Sequence, residues 1–107
     1  MEELGAVDFE SGRLTRPGTW AVGFLASWCP FCRAFRPKFE KLSAGPAVHL
    51  AVADVSDEDS PLWDSLKVEV VPTLVVFREG RPTWRRDGRA GEGLDERDLR
   101  ALASVVG

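Results

Sequence analysis

The run of residues 20–26, Trp-Ala-Val-Gly-Phe-Leu-Ala, is the feature that most constrains the fold of this chain. A strand with one face in water alternates apolar and polar residues, whereas this run contains no polar side chain. It is typical of a central strand that is covered on both faces. Residues 48–55 and 73–77 form two further apolar runs. Together they predict a sheet with helices packed on its faces.

Helical periodicity fills the segments between these strands. After residue 29, apolar residues recur at three- and four-residue spacing, at Cys32, Phe35, Phe39 and Leu42, and charged residues occupy the positions between them. This pattern predicts an amphipathic helix with one apolar and one charged face. Pro37 lies within this helix and should bend it, and Gly45-Pro46 should end it. Ser60 before Pro61 predicts a helix of two turns. Asp95 is the expected N-cap of a C-terminal helix, which Leu94 can staple through Leu99.

The remaining segments complete the predicted architecture. Residues 73–77, a turn at Glu79-Gly80 and residues 82–86 should form a hairpin, with Pro82 on an edge strand. Near the N-terminus, residues 6–9 are a candidate edge strand. The order of the elements predicts an α/β fold with a mixed sheet of four to five strands. At 107 residues, we expect one domain spanning residues 1–107.

Charge and hydropathy exclude several classes of partner. The net charge of -3 supplies no basic field, so we expect no nucleic-acid partner. The apolar stretch around residues 70–77 is far shorter than the roughly 20 residues of a membrane span, so we expect no membrane partner. The acidic N-terminus lacks the pattern of a secretory leader. We therefore expect a cytoplasmic monomer.

The chain has two cysteines, Cys29 and Cys32. They lie too close together to staple a secreted scaffold, and their spacing suits local redox chemistry instead. A zinc site needs about four ligands, and beyond this pair the chain offers His49, whose place in an apolar run indicates a packed or edge side chain. We therefore expect no metal and no cofactor apart from a redox-active disulfide.

Cys29 is the expected attacking thiol because it lies where the apolar strand gives way to the helix. A helix N-terminus favours an anion, and a thiolate with an exposed sulfur is the reactive species. Cys32, one turn later, can resolve the resulting mixed disulfide. Pro30 has no N–H, whereas the N–H groups of Phe31 and Cys32 can both donate to the Cys29 sulfur. Phe31 is either an exposed substrate contact or a side chain folded onto the domain.

These motifs resemble those of the thioredoxin family at four separate places. The matching features are Trp28-Cys29-Pro30-Phe31-Cys32, the helix-bending Pro37, the cis-proline loop Val71-Pro72-Thr73, and the later glycines Gly80 and Gly88. The resemblance implies the thioredoxin fold, a three-layer α/β/α sandwich, with a cis peptide bond before Pro72. It also implies substrate contacts at Trp28, Val71, Pro72 and Gly88, where the Val71 backbone pairs with an extended substrate segment.

The activity implied by the resemblance is thiol–disulfide exchange with disulfide-containing proteins, most simply as a reductant. Its electrons would come from a thioredoxin-reductase-type protein or from glutathione. Two alternatives stay open. The Pro30-Phe31 dipeptide resembles that of glutaredoxins, which suggests a glutathione-dependent activity, and the fold can also serve as a non-catalytic binding module.

Three departures from the family pattern affect the site. Gly23 and Val52 stand where thioredoxins hold a buried aspartate and its lysine partner, so proton transfer at Cys32 should rely on water or on a substrate group. The active-site dipeptide is the second departure. The third is Asp87 among Arg85, Arg86 and Arg89, which either selects charged partners or is a solvated edge. Three other tryptophans are interpreted as core or surface anchors: Trp20, Trp63 and Trp84.

Overall fold

The computed structural model describes residues 1–42 and 45–106. The elements, in chain order, are β1 (Glu2–Leu4), a 3₁₀ helix (Ala6–Asp8), β2 (Phe9–Glu10), β3 (Arg13–Leu14), β4 (Thr19–Leu25), α1 (Pro30–Glu40), β5 (Val48–Asp54), α2 (Leu62–Ser65), β6 (Thr73–Arg78), β7 (Arg81–Asp87) and α3 (Glu96–Val106). Ser43, Ala44 and Gly107, which the predicted domain includes, lie outside the described residues. The three predicted apolar strands, the hairpin and the two long helices are confirmed, although α1 ends at Glu40 rather than at Gly45-Pro46.

The central sheet has five strands in the order β1-β5-β4-β6-β7. β1, β5 and β4 run parallel, while β6 and β7 are antiparallel to their neighbours. One face packs against α2 and the β2–β3 hairpin, and the other packs against α1 and α3. The mixed sheet and the three layers are therefore as predicted, and the first apolar run forms the middle strand.

The N-terminal edge strand lies earlier than predicted. Residues 2–4 pair with β5, whereas the predicted strand at residues 6–9 is wrong, because residues 6–8 form a 3₁₀ helix. The Asp8 carboxylate accepts the Gly5 N–H at 2.8 Å, which folds the chain into a turn. That hydrogen bond, and a further one from Arg16, hold the pKa of Asp8 below its ordinary value despite partial burial. Leu4 is buried while Val7 is exposed, so the edge strand carries a single apolar anchor.

Helix α2 has one turn rather than the predicted two. Ser60 acts at its start as expected, since its hydroxyl oxygen accepts the Leu62 N–H at 3.3 Å. The helix stops because Lys67 adopts a left-handed conformation, with φ of 52°. The chain then turns directly into the loop that carries Val71 and Pro72.

A buried carboxylate joins α3 to the end of β7. Asp98 is fully buried and accepts hydrogen bonds from both Arg89 Nη atoms, from Arg86 Nη1 and from the Asp95 N–H, at 2.9–3.1 Å. Arg85 instead donates to the Leu66 and Lys67 carbonyls and to Asp87. Arg85 and Asp87 are exposed on the edge strand β7, which agrees with a solvated edge, while Arg86 and Arg89 also hold Asp98; selection of charged partners stays a prediction.

Substituting Asp98 by asparagine is expected to lower the free energy of unfolding by about 2–3 kcal/mol at pH 7, since two arginines lose their buried partner. Burial alone would raise the pKa of Asp98, but the hydrogen bonds from Arg89, Asp95 N–H and Arg86 hold it well below the ordinary 3.8. A carboxylate whose pKa is lowered by folding stabilises the fold fully at any pH above its pKa in the unfolded chain. This stabilisation is lost as the pH falls from there toward the pKa in the folded protein.

The difference between wild type and Asp98→Asn should therefore shrink below about pH 4. Urea denaturation at pH 7 and at acid pH measures it. Asp59→Asn is the matched control, because Asp59 is exposed and has no ion pair within the described residues. Equal stability of Asp98→Asn and this control at pH 7 would contradict the assignment.

Candidate active site

The two cysteines lie at the start of α1, directly after the central strand. Cys29 is the N-cap residue and Pro30 occupies the first helical turn, where its missing N–H costs nothing. The Cys32 N–H donates to Cys29 Sγ at 3.3 Å, as expected from the spacing. A hydrogen bond from the Phe31 N–H to this sulfur, the second expected donor, is not found among the described residues. Both cysteines are free thiols.

Cys29 is less accessible than predicted. The residue is only 5% exposed, so the expectation of an exposed sulfur is wrong. Its Sγ donates to the Val71 carbonyl at 3.5 Å, because the loop before β6 folds over it. The Val71–Pro72 peptide bond in this loop is cis, as the resemblance implied. An attacking sulfur in this position meets a substrate that lies along the Val71 backbone.

Cys32 lies deeper and is 2% exposed. Burial raises the pKa of Cys32 to about 12, and the neighbouring Cys29 sulfur adds to the effect. Cys32 therefore holds its proton at neutral pH. A buried thiol that holds its proton suits the resolving role rather than the attacking one.

A groove beside Cys29 has a volume of ≈ 280 Å³ and is lined by Trp28, Cys29, Pro30, Trp63, Glu69, Val70 and Val71. Trp28 is 51% exposed, which agrees with its predicted place at the site. Trp63 packs against the core, as an anchor should, and it also stacks beside Trp28 with ring centroids 6.5 Å apart. Sequence reasoning missed Trp63 and Glu69, since the single turn of α2 and the following loop bring them to Cys29.

On the other side of the motif, Phe31 lies against the loop that precedes α3. The residue is 41% exposed, so Phe31 is only partly folded onto the domain, and its contact with substrate stays a prediction. A Cβ on Gly93 would lie 2.7 Å from Phe31 Cβ, and Gly93 has φ of +70°, so this position requires glycine. The Gly88 N–H donates to the Pro72 carbonyl at 2.9 Å. This hydrogen bond ties the cis-proline loop to the end of β7. A direct substrate contact by Gly88 stays a prediction.

The interior beneath Cys32 contains no carboxylate at Gly23. Gly23 pairs in register with Val52, and a Cβ added to it would lie 3.2 Å from the buried Phe39 ring. A separate cleft of ≈ 180 Å³ reaches Cys32, and Glu3, Ser27 and Asp54 are among the residues that line it. This volume accommodates several water molecules between polar groups.

The other candidate features have structural roles. His49 is exposed and stacks on Trp20 at 4.4 Å. In the described part of the chain, no three histidine, cysteine or acidic side chains are grouped so that they could hold a metal ion. Trp20 is buried in the core, and Trp84 is half-buried with the Arg86 guanidinium over its ring. Among the described residues, no helix combines the length and apolar character needed to cross a membrane.

Comparison with known proteins gives a consistent result. A family model described as thioredoxin matches residues 3–102. A thioredoxin from Mycobacterium bovis is 33% identical over 86 residues, covering 79% of this chain and 72% of the relative. Protein disulfide-isomerase A3 from Gallus gallus is 35% identical over 95 residues, covering 86% of this chain. This chain spans 19% of the length of that isomerase.

Solved structures agree on the fold. The thioredoxin of Fasciola hepatica superposes with a TM-score of 0.71 and 29% identity, and all of both chains is covered. Thioredoxin f from spinach chloroplast superposes with a TM-score of 0.76 over 98% of this chain and 84% of the other. At 21% identity, that second likeness concerns the fold alone.

Proposed function

The chain belongs to the thioredoxin family of protein-disulfide oxidoreductases, and from this premise we propose that it reduces disulfide bonds in protein substrates through Cys29 and Cys32. One observation carries the proposal. The Cys29 sulfur lies at the head of α1, accepts the Cys32 N–H at 3.3 Å and borders the groove formed with Val71. A substrate disulfide in that groove would meet the attacking sulfur next to its resolving partner.

In the first step, the Cys29 thiolate attacks one sulfur of the substrate disulfide. A bond forms between Cys29 Sγ and that sulfur, the substrate S–S bond breaks, and the other substrate sulfur leaves as a thiolate that takes up a proton. The Cys32 N–H, together with the N-terminus of α1, stabilises the negative charge on Cys29 before the attack. The product of this step is a mixed disulfide.

In the second step, Cys32 loses its proton and attacks Cys29 Sγ. The second substrate sulfur leaves, so the substrate gains two electrons and the enzyme holds a Cys29–Cys32 disulfide. Because burial raises the pKa of Cys32 to about 12, this thiol needs a proton acceptor. Water in the cleft bordered by Glu3 and Asp54 is the acceptor that we propose in place of a buried carboxylate.

The number of donors to the Cys29 sulfur supports the reducing direction. A strong disulfide oxidant has a strongly stabilised reduced form. In the described residues, Cys29 Sγ accepts one backbone hydrogen bond, from Cys32. A single hydrogen-bond donor stabilises the Cys29 thiolate of the reduced protein only weakly. A weakly stabilised reduced form favours transfer of electrons to substrates. A thioredoxin-reductase-type protein or glutathione would return the electrons.

A redox titration of the Cys29–Cys32 couple against glutathione tests this direction. We expect a potential close to the roughly -270 mV of thioredoxin. Cys32→Ser is the control, because it cannot form the intramolecular disulfide and should show no such transition. A midpoint above about -180 mV, the range of protein disulfide isomerase and stronger oxidants, would contradict the reductant role.

A further inference from the structure

We propose that the groove beside Cys29 selects substrate segments that carry an arginine or lysine close to the disulfide. The inference rests on the proposed disulfide exchange and names its substrate class. The groove has ≈ 280 Å³, and two tryptophans and the acidic residue Glu69 are among the residues that line it. An extended segment with a basic side chain fits this combination of an aromatic wall and a negative rim.

The segment that supplies Trp63 and Glu69 to the groove is rich in acidic residues. Residues 54–69 hold six of the 17 acidic side chains and one of the 14 lysines and arginines. The acidic residues are Asp54, Asp57, Glu58, Asp59, Asp64 and Glu69. Ion pairs among the described residues all lie elsewhere. Glu69 and the five other carboxylates of this segment are therefore without an ion-pair partner among the described residues.

Both tryptophans donate hydrogen bonds to the loop that follows β5, at Ser56 and Asp57. Trp28 Nε1 donates to the Ser56 carbonyl at 2.9 Å, and Trp63 Nε1 donates to the Asp57 carbonyl at 3.1 Å. The indole N–H groups are thus used on the loop, while half of the Trp28 surface stays exposed. An indole face attracts a cation, and it also packs against the aliphatic stem of arginine or lysine.

The nearby positive side chains face other parts of the surface. Lys67 lines a different hollow with Gly12 and Arg85. Arg33 donates to the Ser27 carbonyl at 2.9 Å and lines the cleft beside Cys32. Neither is among the residues that line the groove. A basic substrate side chain would therefore meet attraction there.

The groove also favours an extended backbone. Within the described residues, the Val71 N–H makes no hydrogen bond, although the Val71 carbonyl accepts from Cys29. A free donor just before a strand is available to pair with an incoming extended chain. The occupant is thus an extended peptide segment whose cysteine reaches Cys29 while its basic side chain reaches Glu69.

Two synthetic octapeptides test the inference. Each contains one cysteine as a mixed disulfide with thionitrobenzoate, flanked by arginine in one peptide and by glutamate in the other. Single-turnover release of thionitrobenzoate from each peptide is measured for the reduced protein. In low salt, we expect the arginine peptide to react about tenfold faster, and 1 M NaCl should remove most of the difference because it shortens the Debye length to about 3 Å.

Glu69→Gln should lower the release rate of the arginine peptide about fivefold, the effect of removing one charge about 4 Å from another in water. The ratio of the two rates should therefore fall toward one. Glu79→Gln is the matched control. Glu79 follows β6 at the opposite end from Pro72, and a glutamine there can still accept the Gly18 N–H. We expect this control to keep the wild-type ratio.

The outcomes separate the two proposals. Cys29-dependent release at equal rates from both peptides, or an unchanged ratio in Glu69→Gln, would overturn the charge selection alone. Faster release from the glutamate peptide would do the same. Release by the wild type that is no faster than release by Cys29→Ser would overturn the proposed disulfide exchange and the charge selection together.

Discussion

Cys29→Ser is expected to lower the rate of insulin-disulfide reduction to that of dithiothreitol alone, a loss of roughly 10³-fold or more in the catalysed rate. A serine hydroxyl does not form the mixed disulfide, so the first step has no nucleophile. The Cys32 thiol does not replace it, because the residue is 2% exposed and burial raises its pKa to about 12. Turbidity of the reduced insulin chains measures the rate.

Cys32→Ser is the informative partner of this variant. It keeps the attacking sulfur but lacks the resolving one, so it should accumulate a mixed disulfide between Cys29 and the substrate. Mass spectrometry under non-reducing conditions detects that adduct. Reduction of insulin by Cys29→Ser at the wild-type rate, or a substrate adduct that forms on Cys32 of Cys29→Ser but not on Cys29 of Cys32→Ser, would refute the assigned roles.

The position of the cysteine motif could be predicted from sequence because it depends on local order. An apolar run followed by an amphipathic segment places Cys29 at a strand-to-helix junction, and the structure has Cys29 as the N-cap of α1. The cis bond before Pro72 followed from the family resemblance rather than from the residues. The cytoplasmic location and the monomeric state stay predictions.

The features that sequence reasoning missed depend on contacts between distant segments. Cys29 is buried because the Val71 carbonyl covers it, 42 residues along the chain. Trp63 reaches the groove because α2 ends after one turn. The arginines around Asp87 resembled a charged surface, yet two of them bind Asp98 on another helix. No spacing or periodicity within a single segment carries that information.

Gly23→Asp is expected to destabilise the fold by about 3–5 kcal/mol at pH 7, because it places an unpaired carboxylate in the core. Gly23 is in the middle of β4 and faces Phe39, whose ring is completely buried. The register partner, Val52, is apolar and 2% exposed, so no cation is available on the neighbouring strand. For a domain of this size, the melting temperature should fall by at least about 12 °C.

The matched control is Gly23→Ala, which adds the same Cβ without the charge. Since this Cβ would lie 3.2 Å from Phe39, we expect a loss of about 1 kcal/mol from overpacking. The charge contribution has its own pH dependence. Burial raises the pKa of an introduced carboxylate above its unfolded value, so the penalty is full at neutral pH and declines as the pH falls toward about 4.

Thermal unfolding of both variants at pH 7 and at pH 4 distinguishes the destabilisation caused by the added Cβ from that caused by the buried charge. The difference between Gly23→Asp and Gly23→Ala should be several kcal/mol at pH 7 and should narrow at pH 4. A melting temperature of Gly23→Asp equal to or above that of the wild type would mean that this interior accommodates a carboxylate. That outcome would contradict the apolar surroundings assigned to Gly23.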